Sequence, residues 1–269
     1  MIRRTTKNRS RLPFRSAVLL LGCLVVGTAC VSLCTHQARP QGIDDPRAEN
    51  AVDRMWAALD YSAWENTGAI RWRMSSARPL FLWDRKRDWV LAQYDSSGSA
   101  ILVYLALATR RGVATTDQNV ELPAEEQQKW LERAYADWAN DSFWLIAPFK
   151  ARDPGTLRSL THSDDQASHV LVSYQSGGVT PGDAYLWHLD EDGTPLSWQM
   201  WVQVIPIGGV KVRWADWRQL ATGVRMAHVR EGPLGIQMKM DPLEAASSVQ
   251  ELVGGDPFAR FAGRLAATD

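Results

Sequence analysis

The hydrophobic period of this chain changes from helical to two near residue 68 and, with one interruption, stays there. Before the change, Ala48, Ala51, Val52, Met55, Trp56 and Leu59 recur at three-to-four spacing, the apolar stripe of an amphipathic helix. Asp44 or Asp45 is placed to cap it ahead of Pro46, and Ser62-Ala63-Trp64 forms a second short turn. After it, Ile70, Trp72 and Met74 alternate with Arg71, Arg73 and Ser75, as on a strand with one buried face. Short strands are predicted at Leu80–Trp83, Trp89–Tyr94 and Ile101–Leu107. A helix at residues 123–139 interrupts them, with Pro123 in its first turn, Glu125 and Glu126 at its positive end, and an apolar stripe through Trp130, Leu131, Ala134, Tyr135 and Trp138. Strands then resume at Phe143–Ala147, Thr156–Thr161, His169–Tyr174, Ala184–Asp190, Pro195–Val204, Val210–Trp217, Val224–Arg230 and Gly235–Met240. Gly177-Gly178, Glu191-Asp192-Gly193, Gly208-Gly209 and Glu231-Gly232-Pro233 mark turns between them. Short strands joined by tight turns give an antiparallel meander, so the expected class is mainly β with helices, α+β.

Thirteen tryptophans, all beyond residue 55, shape that expectation further. Each carries roughly 200 Å² to be buried, more than a thin sandwich needs. A strongly curved sheet, its concave face filled by large side chains and by a helix, accommodates such bulk. The aromatics then either fill a solid core or line an apolar cavity. The candidates for lining it are Trp72, Trp83, Trp89, Trp130, Trp138, Trp144, Trp187 and Trp198.

The leader carries a different signal. Six basic residues (Arg3, Arg4, Lys7, Arg9, Arg11 and Arg15) precede the apolar run Ala17–Val26, and no Asp or Glu lies among them. This is the pattern of a bacterial export signal, in which the basic end stays cytoplasmic while the apolar segment enters the membrane. Three outcomes are open. Gly27-Thr28-Ala29-Cys30 resembles a lipoprotein signal with acylation at Cys30, although Gly27 replaces the usual Leu or Val; Leu20-Leu21-Gly22-Cys23 matches better but leaves a short apolar run, and Leu33 disfavours Cys34. Ser16 to Ala38 is also long enough to span a bilayer of about 30 Å uncleaved. Cleavage after Ala29 would release the body. In each case the body is exported, and the first two tether it to a membrane. The chain then divides into residues 1–34 as signal or anchor, 35–47 as a Pro/Gly linker, and 48–269 as one β-rich domain.

Charge narrows the partners. The formal net charge is zero over 269 residues, but setting the six leader cations aside leaves 24 Lys and Arg against 30 Asp and Glu, a net −6. An acidic body without a basic stripe does not suit nucleic acid. All three cysteines, Cys23, Cys30 and Cys34, precede residue 35, so the body has no thiol for a disulfide, metal or nucleophile. The chain has no G-x-S-x-G, H-E-x-x-H, P-loop or G-x-G-x-x-G motif, and no cofactor is expected. His188 and Asp190 share a strand face at metal-ligand spacing, but a strand end running into the Asp190–Gly193 turn accounts for them better. No metal site or catalytic set is assigned.

One string is specific. Trp138-Ala-Asn140-Asp141-Ser142-Phe-Trp144-Leu145-Ile-Ala-Pro148-Phe149-Lys150 follows the second helix, where Asn140 can cap the helix end and Asp141 and Ser142 can bond freed backbone groups. It resembles a family of exported bacterial proteins of undefined function, similar in turn to the periplasmic lipoprotein-carrier (LolA/LolB-like) superfamily. Ala58–Trp64, Ile70–Trp72, Leu82–Arg85, Val179–Pro181, Leu189–Gly193, Trp198 and Val212–Trp217 extend the resemblance over most of residues 48–240. It implies an unclosed barrel plugged by helices, with lipid chains on its concave side, and it carries no catalytic residue. The leading expectation is a non-enzymatic protein that is membrane-tethered through its N-terminus on the periplasmic side and holds a lipid or acyl chain. The alternatives are a structural or interaction lipoprotein with a solid core, and a carboxylate-based hydrolase.

The leader readings separate in one experiment. With acylation at Cys30, labelled palmitate enters the protein and Cys30→Ser abolishes the label while export persists. Label retained in Cys30→Ser but lost in Cys23→Ser moves the site, and an unlabelled full-length chain in the membrane fraction means an uncleaved anchor.

Overall fold

The computed structural model describes residues 36–96, 98–161, 168–176 and 181–267. The leader, Cys30 and the Gly177-Gly178 turn lie outside them. The fold is α+β, with two antiparallel sheets of six and seven strands and no closed barrel.

The sequence opens on α1 (Arg47–Leu59), whose Ala51, Val52, Met55 and Leu59 are buried. Asp45, one of the two capping candidates, accepts the Arg47 N–H at 2.8 Å and also pairs with its guanidinium. Asp60 ends α1 in the left-handed region and starts α2 (Tyr61–Asn66) by accepting the Ala63 N–H. A short polar side chain that tolerates positive φ thus folds the chain back between two helices.

The six-stranded sheet runs β13-β1-β2-β3-β4-β5: β1 (Ala69–Trp72), β2 (Leu80–Asp84), β3 (Trp89–Ser96), β4 (Ser99–Ala106), β5 (Gly112–Thr116) and β13 (Leu243–Ala246). The seven-stranded sheet runs β12-β11-β10-β9-β8-β7-β6: β6 (Thr156–Ser159), β7 (His169–Tyr174), β8 (Ala184–Leu189), β9 (Pro195–Trp201), β10 (Val210–Gln219), β11 (Arg225–Glu231) and β12 (Gln237–Lys239). Apart from β1–β13, every pairing joins strands consecutive in sequence, which is the expected meander. The two sheets are joined by one segment that changes partners. Met240 N–H still bonds to His228 O, whereas Asp241 N–H bonds to Arg73 O and Pro242 O accepts the Arg73 N–H. The pairing thus shifts from the β11 edge to the β1 edge between Met240 and Asp241, and Pro242, which has no N–H to donate, joins the new edge through its carbonyl alone.

The long helix α3 (Ala124–Ile146) lies across both sheets. Its first two-thirds meet the six-stranded sheet through Trp130 against Tyr94 and Trp138 against Trp83, and its last third meets the seven-stranded sheet through Phe143 against Tyr185 and Trp144 against Trp198. The expected strand at Phe143–Ala147 is therefore corrected: residues 143–146 are the last turn of α3, and Ala147–Lys150 is a 3₁₀ turn. Asn140, Asp141 and Ser142 sit inside the helix and cap nothing.

Beyond residue 242 the chain adds β13, α4 (Val249–Val253) and α5 (Ala262–Ala266). Phe258, Phe261 and Leu265 cover the outer face of the six-stranded sheet, against Leu82, Trp89 and Tyr104. Gly193 closes the β8–β9 turn at φ +89°, and a Cβ there would stand 2.6 Å from the Arg54 carbonyl of α1, so this tip needs glycine for both conformation and room. Among the described residues no helix is long and apolar enough to cross a membrane.

Candidate functional site

Strand alternation delivers most of the predicted tryptophans to one interior. Trp72 on β1 and Trp83 on β2 face α3; Trp72 stacks on Phe81 at 5.0 Å, and Trp83 meets Trp138 edge-on at 5.4 Å. On the other sheet Trp187 and Trp198 pack at 5.0 Å, with Trp144 of α3 against Trp198 at 5.1 Å. Trp130 lies half-buried over Tyr94 at the helix's other end. Trp89 departs from the prediction. Trp83 pairs with Val90, so its neighbour Trp89 must point to the opposite face, where it packs on Phe258. It belongs to the outer core.

Trp214, not among the candidates, completes the cluster at 5.1 Å from both Trp187 and Trp198. Opposite it across β10–β11 stands Arg230, fully buried. The Arg230 guanidinium lies 3.7 Å over the Trp214 ring and donates to Trp144 O and Ala227 O. Trp144 O belongs to the last turn of α3, where carbonyls lack helical partners and the dipole is negative, so the cation caps the helix. Burial pushes Arg230 down to about 9. A second cation, Arg85, lies 3.5 Å over Trp64 and donates to Trp64 O and Thr67 O; burial lowers it to about 10. Both arginines offset desolvation with carbonyl groups and aromatic faces.

Within the same interior four indole N–H groups, those of Trp72, Trp138, Trp198 and Trp214, are buried without a hydrogen-bond partner. Buried indoles ordinarily find one, and each orphan costs roughly 1–3 kcal/mol.

The Asn140-Asp141-Ser142 string has a clear local role. Asp141, fully buried, accepts two bonds from Arg78 in the β1–β2 connection at 2.7 and 3.0 Å, with Asn140 adding a third. Asp137, one turn earlier, takes the same Arg78 nitrogen at 2.9 Å and accepts the Tyr94 hydroxyl. One arginine thus ties the middle of α3 to the first sheet. Asp137 and Asp141 are a close carboxylate pair, but Arg78 occupies both, which leaves neither free for acid–base work.

The metal candidates separate. His188 faces outward and meets His169 edge-on at 4.6 Å, while Asp190 accepts the Thr194 N–H inside its turn. Burial, with help from His169 and Lys211, pushes the His188 imidazole down to about 4. Among the described residues no three His, Cys, Asp or Glu side chains gather to hold a metal. Two recesses open on the surface, one of about 750 Å³ beside Arg54 and Asp190–Asp192, the other of about 610 Å³ beside His188, Lys211 and Pro233. Neither is lined by any of the eight predicted tryptophans.

No family model matches the chain, and no curated protein matches it.

Arg78→Ala strands Asp141 in the interior and is expected to cost about 2–4 kcal/mol, whereas Asp141→Ala leaves Arg78 on Asp137 and part-exposed, at about 1–2 kcal/mol. The double variant should cost clearly less than the sum. Urea denaturation of the three variants checks the order; equal losses, or additivity, would contradict the Arg78–Asp141 tie.

Proposed function

We propose that this protein is a non-enzymatic, membrane-tethered binding protein that holds an acyl chain between α3 and its Trp-rich concave face. The polarity of the aromatic interior carries the reading. Four unpartnered indole donors lie within one continuous apolar interior. A core built for packing alone pairs or omits such groups. An amphiphile uses both properties. Its chain leaves water at about 0.8 kcal/mol per CH₂, and its polar end accepts from donors that a hydrocarbon core leaves idle. The resemblance of the Trp138–Lys150 string to the lipoprotein-carrier superfamily, and the export pattern of residues 3–26, point the same way.

A second reading keeps a specific observation on its side. The rings already stand 4.7–6.5 Å apart through much of the interior, as between Tyr185 and Trp198 or Trp72 and Trp83, which suits a solid core and an interaction lipoprotein. The two differ in what leaves with the protein. Organic extraction of the purified full chain followed by mass spectrometry should recover an acyl species near one per protein. Extracts that match the buffer blank would favour the solid core.

A further inference from the structure

We propose that the β9–β10 loop, residues 202–209, is the surface by which the folded body rests on the lipid bilayer that holds its N-terminus. This rests on the tethered reading above and adds an orientation to it.

The first described residues fix where the chain enters the domain. His36 Nδ1 accepts the Gly208 N–H at 3.0 Å, and Gln37 N–H donates to Gly208 O at 2.9 Å. Trp201 Nε1 donates to Gln37 O at 2.8 Å, and Gln199 donates to the Gln37 side chain at 2.9 Å. From there the chain straps the outer face of the seven-stranded sheet, through Arg39 to Ser173 and Ile43 to Leu160. Entry is therefore pinned to the base of the β9–β10 loop. Cys30 is only six positions from His36, and Val26 ten. At 3.3–3.6 Å per residue the tether spans at most about 20 Å or 35 Å, less than or comparable to the width of the domain itself. The end of the sheet that carries this loop is held at the membrane.

That loop is built for the place. Val202-Gln203-Val204-Ile205-Pro206-Ile207-Gly208-Gly209 contains no charge, and Val204 is 76% exposed. An apolar loop tip is costly in water, but it suits the boundary between headgroups and acyl chains. Lys211, exposed just past its base, is placed to meet anionic headgroups. The β11–β12 hairpin turns at the same end of the sheet and presents Leu234, 99% exposed in the left-handed region, with Ile236 beside it. At the opposite end the β8–β9 turn presents Asp190, Glu191 and Asp192 instead, beside the uncharged β10–β11 turn of residues 220–224. Tethering supplies the effective concentration that makes a small apolar contact persist.

The test uses the full chain with its own leader, reconstituted in vesicles of phosphatidylethanolamine and phosphatidylglycerol. Val204→p-benzoylphenylalanine, an exposed site that should tolerate the change, is irradiated beside the same replacement at Glu191 and at Val120, which is 60% exposed on the other sheet. Lipid adducts at 204, with background at 191 and 120, are expected. A vesicle-bound chain with no adduct at 204, or equal adducts at all three positions, overturns the docking surface and leaves the tether standing. Adducts at 204 to a second copy of the chain in place of lipid also overturn it. A chain that does not float with the vesicles removes the tether and the docking surface together.

Discussion

Everything in this fold depends on one helix filling the hollow of two sheets. The inward tryptophans of both sheets share one interior, and that interior must be closed against water. α3 closes it. Its 23 residues, about 34 Å long, reach from Tyr94 on one sheet to Trp198 on the other. Two arginines hold it from opposite sheets: Arg78 grips Asp137 and Asp141 at mid-helix, and Arg230 caps the last turn. Without α3 the indoles of the six-stranded sheet would lose their main cover, while α1 shares the inner face of the seven-stranded sheet through Ala51, Val52, Met55 and Leu59.

The same helix explains how structure and proposed role connect. Packing between α3 and the sheets is aromatic and therefore apolar, but it is not fully satisfied, because indole N–H groups point into it without acceptors. An interior of that kind stabilises the fold less than an aliphatic core of equal area would. Stability forgone at one site is a recurring cost of a binding surface. The outer core behaves differently. Phe258, Phe261 and Leu265 cover Trp89 and Tyr104, and no orphaned donor is found among these residues.

Local signals in the sequence were enough for the class and for most of the strands. Period-two alternation and Gly- or Asp-bearing turns are properties of a few adjacent residues, and β2, β3, β7, β8, β9 and β10 fall close to where they placed them. Residues 143–147 misled because five consecutive apolar side chains carry no period; strand and buried helix look alike at that length. β13 was missed because Leu243–Ala246 is short and alanine-rich, and its partner β1 lies far away in sequence. Trp89 was assigned to the wrong face because facing depends on register with β2, a non-local quantity. Arg230 was overlooked although its phase was visible: it alternates with Met226 and His228 on β11, inward with both. A basic residue in an inward phase is the kind of local conflict that marks a special site. Asp141 stands out in the sequence within its Asn-Asp-Ser string, but its partner Arg78, 63 positions upstream, does not.

The central claim is that an acyl chain lies against these tryptophans, and a spin-labelled fatty acid reports on that contact directly. Titration of the full chain with doxyl-stearate should quench tryptophan fluorescence saturably, near one equivalent, and unlabelled stearate should reverse it. Weak, linear quenching that stearate does not compete away would contradict the claim and leave the interior as a core.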